Sequence, residues 1–290
     1  MMGKRTLYII RLLAGIIATV TICSAATIIK SATNPRQAGY DFSRLLLKEG
    51  TNLKTITLPQ YETKHFVIRY YPGSINSVQL VASAAESMYI PVTTTLGTEP
   101  EGKTMIVVYP DSESLAKSFG WDRDERAMGV YWGGTIRILN PQEWINSPDI
   151  RTTFFKEGPM VHEFTHLIID NMTRGNYPRW FTEGVAQYMD KKINGFSFTD
   201  PFQDRPASLY DFNNLEKNFD QLDQGIVYWQ SLKAAELIVN KYGEDALFEI
   251  IDYLGQGKSM DVAFKEATGE TFYHFTQELY NLVLEENAIN

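Results

Sequence analysis

Val161-His162-Glu163-Phe164-Thr165-His166-Leu167-Ile168-Ile169-Asp170 is the stretch on which the reading of this chain turns. Two histidines four apart on a helix differ by about 40° in azimuth, so both imidazoles leave one face toward one point. That spacing suits a zinc ion taking two nitrogen ligands at roughly 2.0–2.1 Å. Glu163 is rotated by about 100° from His162 and stands beside the ligand face, where it can reach a water on the metal. A chain of this composition would produce the His-Glu-x-x-His pattern by accident about 0.004 times. Two of its 4 histidines fall in this one pentapeptide. The flanking positions are mostly apolar, as in a buried helix that exposes polar groups only here. A buried His-Glu-His cluster with no cation would be costly to desolvate.

Zinc needs a third protein ligand, and a catalytic site keeps a further position open for water. After breaks at Gly175 and Pro178 the chain reads Arg179-Trp180-Phe181-Thr182-Glu183-Gly184-Val185-Ala186-Gln187-Tyr188-Met189. Proline is a natural helix opener, so Glu183 lies on the helix that follows. A helix, a short reversal and a second helix would return it over the histidines. A lone helix-face glutamate is usually solvated, but Trp180, Phe181, Val185, Ala186 and Tyr188 leave little of this helix for solvent. His65 and His274 are distant and lack motif context. No thiol competes, because the 1 cysteine, Cys23, lies in the apolar N-terminal stretch.

That stretch begins after Lys4 and Arg5 and runs from Leu7 to Ile29, interrupted only by Arg11. Its charge-free part, Leu12 to Ile29, would span roughly 27 Å as a helix. Arg11 can snorkel toward Lys4 and Arg5. The positive flank places residues 1–6 in the cytoplasm, 7–29 in the membrane and the remaining chain outside. Ser24-Ala25-Ala26 allows the alternative of a cleaved signal and a secreted protein. Either way the body is exported. The net charge of −8 disfavours a nucleic-acid partner.

Residues 30–60 read as a juxtamembrane linker with a short helix around Phe42 to Lys48. From Tyr61 short strands alternate with helices. His65 to Tyr71 is β-rich and ends at Pro72-Gly73. Ser77 to Leu96 reads as a helix that Pro91 would kink. Met105 to Tyr109 is a buried strand, and Asp111 caps a helix over Ser112 to Phe119. Gly129 to Trp132 and Thr135 to Leu139 flank Gly133-Gly134, a hairpin signal. After Asp149 the pattern is almost wholly helical. The expected fold is α+β: a small mixed-sheet lobe over 61–148 and a helical zinc-binding lobe over 149–290, with the zinc cleft between them.

His-Glu-Phe-Thr-His followed by Trp-Phe-Thr-Glu-Gly resembles the gluzincin metallopeptidases, especially the small peptidase-MA-like group. The likeness extends from Tyr61 to about Glu285, including the Gly129-Val130-Tyr131 strand and the tail around Lys241-Tyr242-Gly243 and Gly257 to Phe264. The resemblance implies a thermolysin-like fold and a zinc peptidase acting on peptides or proteins. His162, His166 and Glu183 would then be ligands and Glu163 the general base. In that family a Tyr or His of the helical lobe stabilises the oxyanion, which points to Tyr228, with His274 as the weaker choice. The Gly129 to Trp132 strand would be either a sheet edge for an extended substrate or simply a core hairpin. Two departures stand out. Residues 167–182 form a shorter gap than in thermolysin-like enzymes. The aspartate that commonly follows the glutamate ligand by one turn is Gln187, whose carbonyl can accept from an imidazole N–H but carries no charge. Asp170, one turn past His166, reads either as its substitute in orienting a ligand histidine or as a helix-end carboxylate. Two other readings compete: a peptidase-like binding protein that keeps zinc but cleaves nothing, and a structural zinc staple, which would require a fourth protein ligand.

Overall fold

The computed structural model describes residues 35–120, 127–203 and 207–289. The expected anchor or signal at 7–29 lies outside the described residues. Among the described residues, no helix is long and apolar enough to cross a membrane. The fold is mixed α+β, a small mixed sheet with many helices.

The first helix, α1, covers Pro35–Thr55. It is longer than the short helix expected around 42–48, and it packs on the body instead of hanging free. Sequence pattern hid this because its buried residues are polar: Gln37, Thr51 and Thr55. The strands are β1 (Gln60–Glu62), β2 (Phe66–Tyr70), β3 (Thr104–Tyr109), β4 (Gly129–Trp132) and β5 (Thr135–Leu139), ordered β1-β2-β3-β5-β4. β2, β3 and β5 run parallel, and β1 and β4 are antiparallel edges. Gly133 and Gly134 turn β4 into β5 with φ of 52° and 86°, the left-handed pair that a tight hairpin demands.

Alternation along the strands assigns the two faces of the sheet. Phe66, Ile68, Ile106, Val108, Ile136 and Ile138 are wholly buried in the main core, against α2 (Val78–Leu96). Pro91 sits inside α2 without ending it. The opposite face carries Val107, Tyr109 and Leu139 with Leu115. Leu115 comes from α3 (Ser112–Phe119), which Asp111 caps by accepting the Ser114 amide at 2.7 Å. On that face Arg69 and Arg137 flank Val107 in register. Buried guanidinium groups need acceptors, and α1 supplies them together with Ser118 of α3, which takes Arg137 Nη1 at 2.8 Å. Arg69 donates to Asn52 O and Thr55 Oγ1, both at 2.9 Å, and Arg137 to Thr51 Oγ1 at 3.0 Å.

Beyond residue 149 follow α4 (Ile150–Glu157), α5 (Met160–Thr173), α6 (Arg179–Asn194), α7 (Phe212–Asn218), α8 (Gln224–Tyr242), α9 (Glu244–Gly255), α10 (Met260–Thr268) and α11 (Phe272–Ile289). α5 and α6 form the antiparallel pair expected from the break at Gly175 and Pro178, and β4 borders the start of α5.

Candidate metal centre

α5 carries His162, Glu163 and His166 in its first turns, and α6 returns Glu183 over them. The reversal is tight because Arg174 and Gly175 both adopt left-handed backbone, φ 52° and 69°. α6 then starts immediately after Pro178. Gly184, next to Glu183, explains how a third helix closes in. A Cβ there would lie 2.3 Å from the Ser231 carbonyl oxygen of α8. Glycine inside a helix costs roughly 0.5–1 kcal/mol, but here it lets α8 approach and bring Tyr228 to the cleft.

The donor atoms converge. His162 Nε2 and His166 Nε2 lie 3.2 and 3.4 Å from Glu183 Oε2. Ligands at ~2.05 Å around a tetrahedral zinc are separated by about 3.3 Å, so the spacing fits the ion. The tautomers fit it too. His162 Nδ1 meets the Asp190 carboxylate at 2.9 Å, and His166 Nδ1 meets Thr182 Oγ1 at 2.8 Å. A carboxylate can only accept, so neutral His162 carries its proton on Nδ1 and turns the Nε2 lone pair toward Glu183. A lone pair facing a carboxylate oxygen in a largely buried site calls for a cation or a proton between them.

The protonation balance expresses the same demand. Burial disfavours the charged form of His162. Its hydrogen bonds to Asp190 and Glu183 outweigh that effect and hold its pKa well above the ordinary value. Burial likewise disfavours charged Glu183, but His166 and the hydrogen bonds from both imidazoles hold its carboxyl far below the ordinary range. Glu163 behaves differently. Burial dominates and raises its pKa against the lowering effect of both histidines, while the Tyr131 backbone N–H of β4 donates to Glu163 Oε2 at 2.6 Å.

Two cavities flank this group. One, of about 860 Å³, runs along Gly129 to Trp132 and past Tyr177 and Arg179. The other, of about 660 Å³, passes Met128, Phe196 and Phe198. Both are lined by His162, Glu163, Gln224 and Tyr228. Burial and the Glu183 charge push the Tyr228 hydroxyl pKa up, so it remains a donor.

The residues expected to orient the ligands are elsewhere. Asp170 is turned toward Tyr40, Arg44, Tyr131 and Tyr177, not toward a histidine, because α1 has claimed it. Gln187 spends its amide N–H groups on the Glu183 and Tyr228 carbonyls, at 3.2 and 2.8 Å. Asp190 and Thr182 orient the imidazoles instead. Asp190 had a legible signal: it follows Glu183 by seven residues, two helical turns, and so returns to the same face. His65 pairs with Glu86 and stacks on Tyr89, and His274 pairs with Glu270. Neither joins the site.

Residues 85–283 match the Peptidase MA superfamily, and the chain belongs to that superfamily. It is similar to the uncharacterized protein YhcO of Bacillus subtilis (strain 168), with 23% identity over 128 residues. That alignment spans 41% of this chain and 38% of YhcO.

Proposed function

We propose that this protein is a gluzincin-type zinc peptidase, with His162, His166 and Glu183 as the metal ligands. The observation that carries the reading is the approach of two imidazole Nε2 atoms to one carboxylate oxygen, at 3.2 and 3.4 Å, with both Nδ1 atoms already engaged. Zinc held there would act as a Lewis acid that activates water and polarises a carbonyl. Glu163, its carboxyl raised in pKa by burial, takes the proton from the attacking water as the C–O bond forms and charge moves onto the carbonyl oxygen. It then passes that proton to the amine nitrogen, after which the C–N bond breaks and the amine leaves. The Tyr131 amide holds that carboxylate in place. Tyr228 donates to the carbonyl oxygen as negative charge develops on it. A peptide or protein lying along β4 would cross both cavities, which suits cleavage within a chain. The apolar run at 7–29 supports an anchored, extracytoplasmic body.

The test is metal analysis joined to cleavage of a broad peptide library. Wild type should bind one zinc and cleave, whereas Glu163→Gln should keep its zinc and lose cleavage by roughly 10²-fold or more. Zinc retained at full occupancy with no wild-type cleavage would favour the inert binding protein.

A further inference from the structure

A second polar cluster occupies the far end of α5, and it connects α1 to the site. Asp170 is fully buried, with 0% side-chain exposure, and Arg44 Nε reaches its Oδ2 at 2.9 Å. Tyr40 and Tyr131 donate their hydroxyls to the same carboxylate, and Tyr177 adds a third at 3.2 Å. The Tyr131 hydroxyl is engaged on every side. It donates to Asp170 and accepts from Arg44 Nε at 3.1 Å and from the Gly134 amide at 3.0 Å. Arg44 also donates through Nη2 to Asn171. The backbone N–H of this same Tyr131 holds Glu163 at 2.6 Å. α1 precedes the residues that match the superfamily, which begin at 85.

We propose that α1 is a working part of the site: Arg44, with Asp170, fixes the Tyr131 hydroxyl and thereby sets the position of the β4 amide that orients Glu163. This rests on Glu163 being the base. Arg44 and Tyr131 are positioning residues, acting through a strand edge whose far side faces the cleft. A short edge strand has few restraints of its own, so a hydroxyl held by the half-buried Arg44 and the buried Asp170 determines where its amides point. Displacing a reacting group by about 1 Å can cost on the order of 10²-fold in rate, so partial loosening has a measurable effect.

Replacing Asp170 would strand Arg44 and three hydroxyls, so the variants are Arg44→Gln and the milder Tyr131→Phe, alone and together, with Gln37→Ala as comparison. Gln37, in the first turn of α1, docks the helix to the Gly255 carbonyl at 2.8 Å. Each single network variant should lower kcat roughly tenfold with KM and zinc content unchanged. The double variant should lose no more than the worse single one, since the two residues act as a unit. Hydrogen exchange at the amides of residues 129–132 should quicken in both, while Gln37→Ala changes neither readout. Wild-type kcat and exchange in a folded Tyr131→Phe protein would overturn the proposal, as would equal losses in Gln37→Ala or losses that multiply. If the wild type cleaves nothing, the activity assignment fails, and the exchange measurement still decides whether α1 holds β4.

Discussion

Among the described residues, two groups of histidine and carboxylate bring their donor atoms close enough to share an ion: His162–His166–Glu183 and Glu270–His274–Glu278. They differ in what already stands between them. At the second group the Lys241 ammonium donates to both Glu270 and Glu278, the Tyr242 hydroxyl adds a bond to Glu270, and His274 is 71% exposed. That cluster carries its own cation. At the first group the side chains are 8–14% exposed, and the nearest fixed cation, Arg179, stands 3.6 Å from the other carboxylate oxygen, Oε1. Among the described residues, no lysine or arginine stands between Oε2 and the two imidazoles, so only a proton or an added cation can balance them. Acidic and imidazole groups are common on protein surfaces, and what marks a metal site is a charge balance that the chain leaves open.

Removing a donor should separate the two clusters most sharply. Glu183→Ala should lower zinc affinity by more than the roughly 100-fold that orienting residues cost, whereas Glu270→Ala should leave it unchanged; calorimetric titration measures both. Next in size is removal of the metal itself. Zinc at 100 times its Kd should contribute about 2.7 kcal/mol of stability, so a chelator should lower the wild-type Tm by roughly 5–10 °C and leave that of Glu183→Ala where it was. Asp190→Asn keeps an acceptor for the His162 N–H but loses the charge, and should weaken zinc by about 10- to 100-fold in competition with a chromophoric chelator. Smallest is the closed cluster. Tyr242, His274 and Lys241 hold the Glu270 carboxyl at about 2, below its ordinary 4.5, so its contribution is present above pH 4.5 and lost as pH falls through about 2. The stability gap between wild type and Glu270→Gln, at most about 1 kcal/mol for an exposed network, should therefore shrink over that window in acid denaturation.

Much of the fold was legible where one local rule dominated. Gly133-Gly134 announced the hairpin, Asp111 the cap of α3, and the period of four on α5 the pair of imidazoles. The extent of α1 is not legible because it docks through polar contacts: Gln37, Tyr40 and Arg44 donate to the body, and Thr51 and Thr55 accept from Arg137 and Arg69, which leaves no hydrophobic period to read. The same docking diverted Asp170, whose position one turn past His166 suggested a ligand-orienting role. Tertiary contact from more than a hundred residues away decided otherwise. Asp190 is legible only from the second turn after Glu183, which shares its face, whereas Thr182, beside Glu183 in sequence, carries no periodic signal and reaches His166 only through the packing of α6 on α5.

An anomalous difference map at the zinc edge, from crystals of zinc-loaded protein, tests the central claim most directly. The account predicts one strong peak within about 2.0–2.2 Å of His162 Nε2, His166 Nε2 and a Glu183 carboxylate oxygen, with solvent in the remaining position. A peak closed by a fourth side chain, or one seated among Glu270, His274 and Glu278 instead, would contradict it.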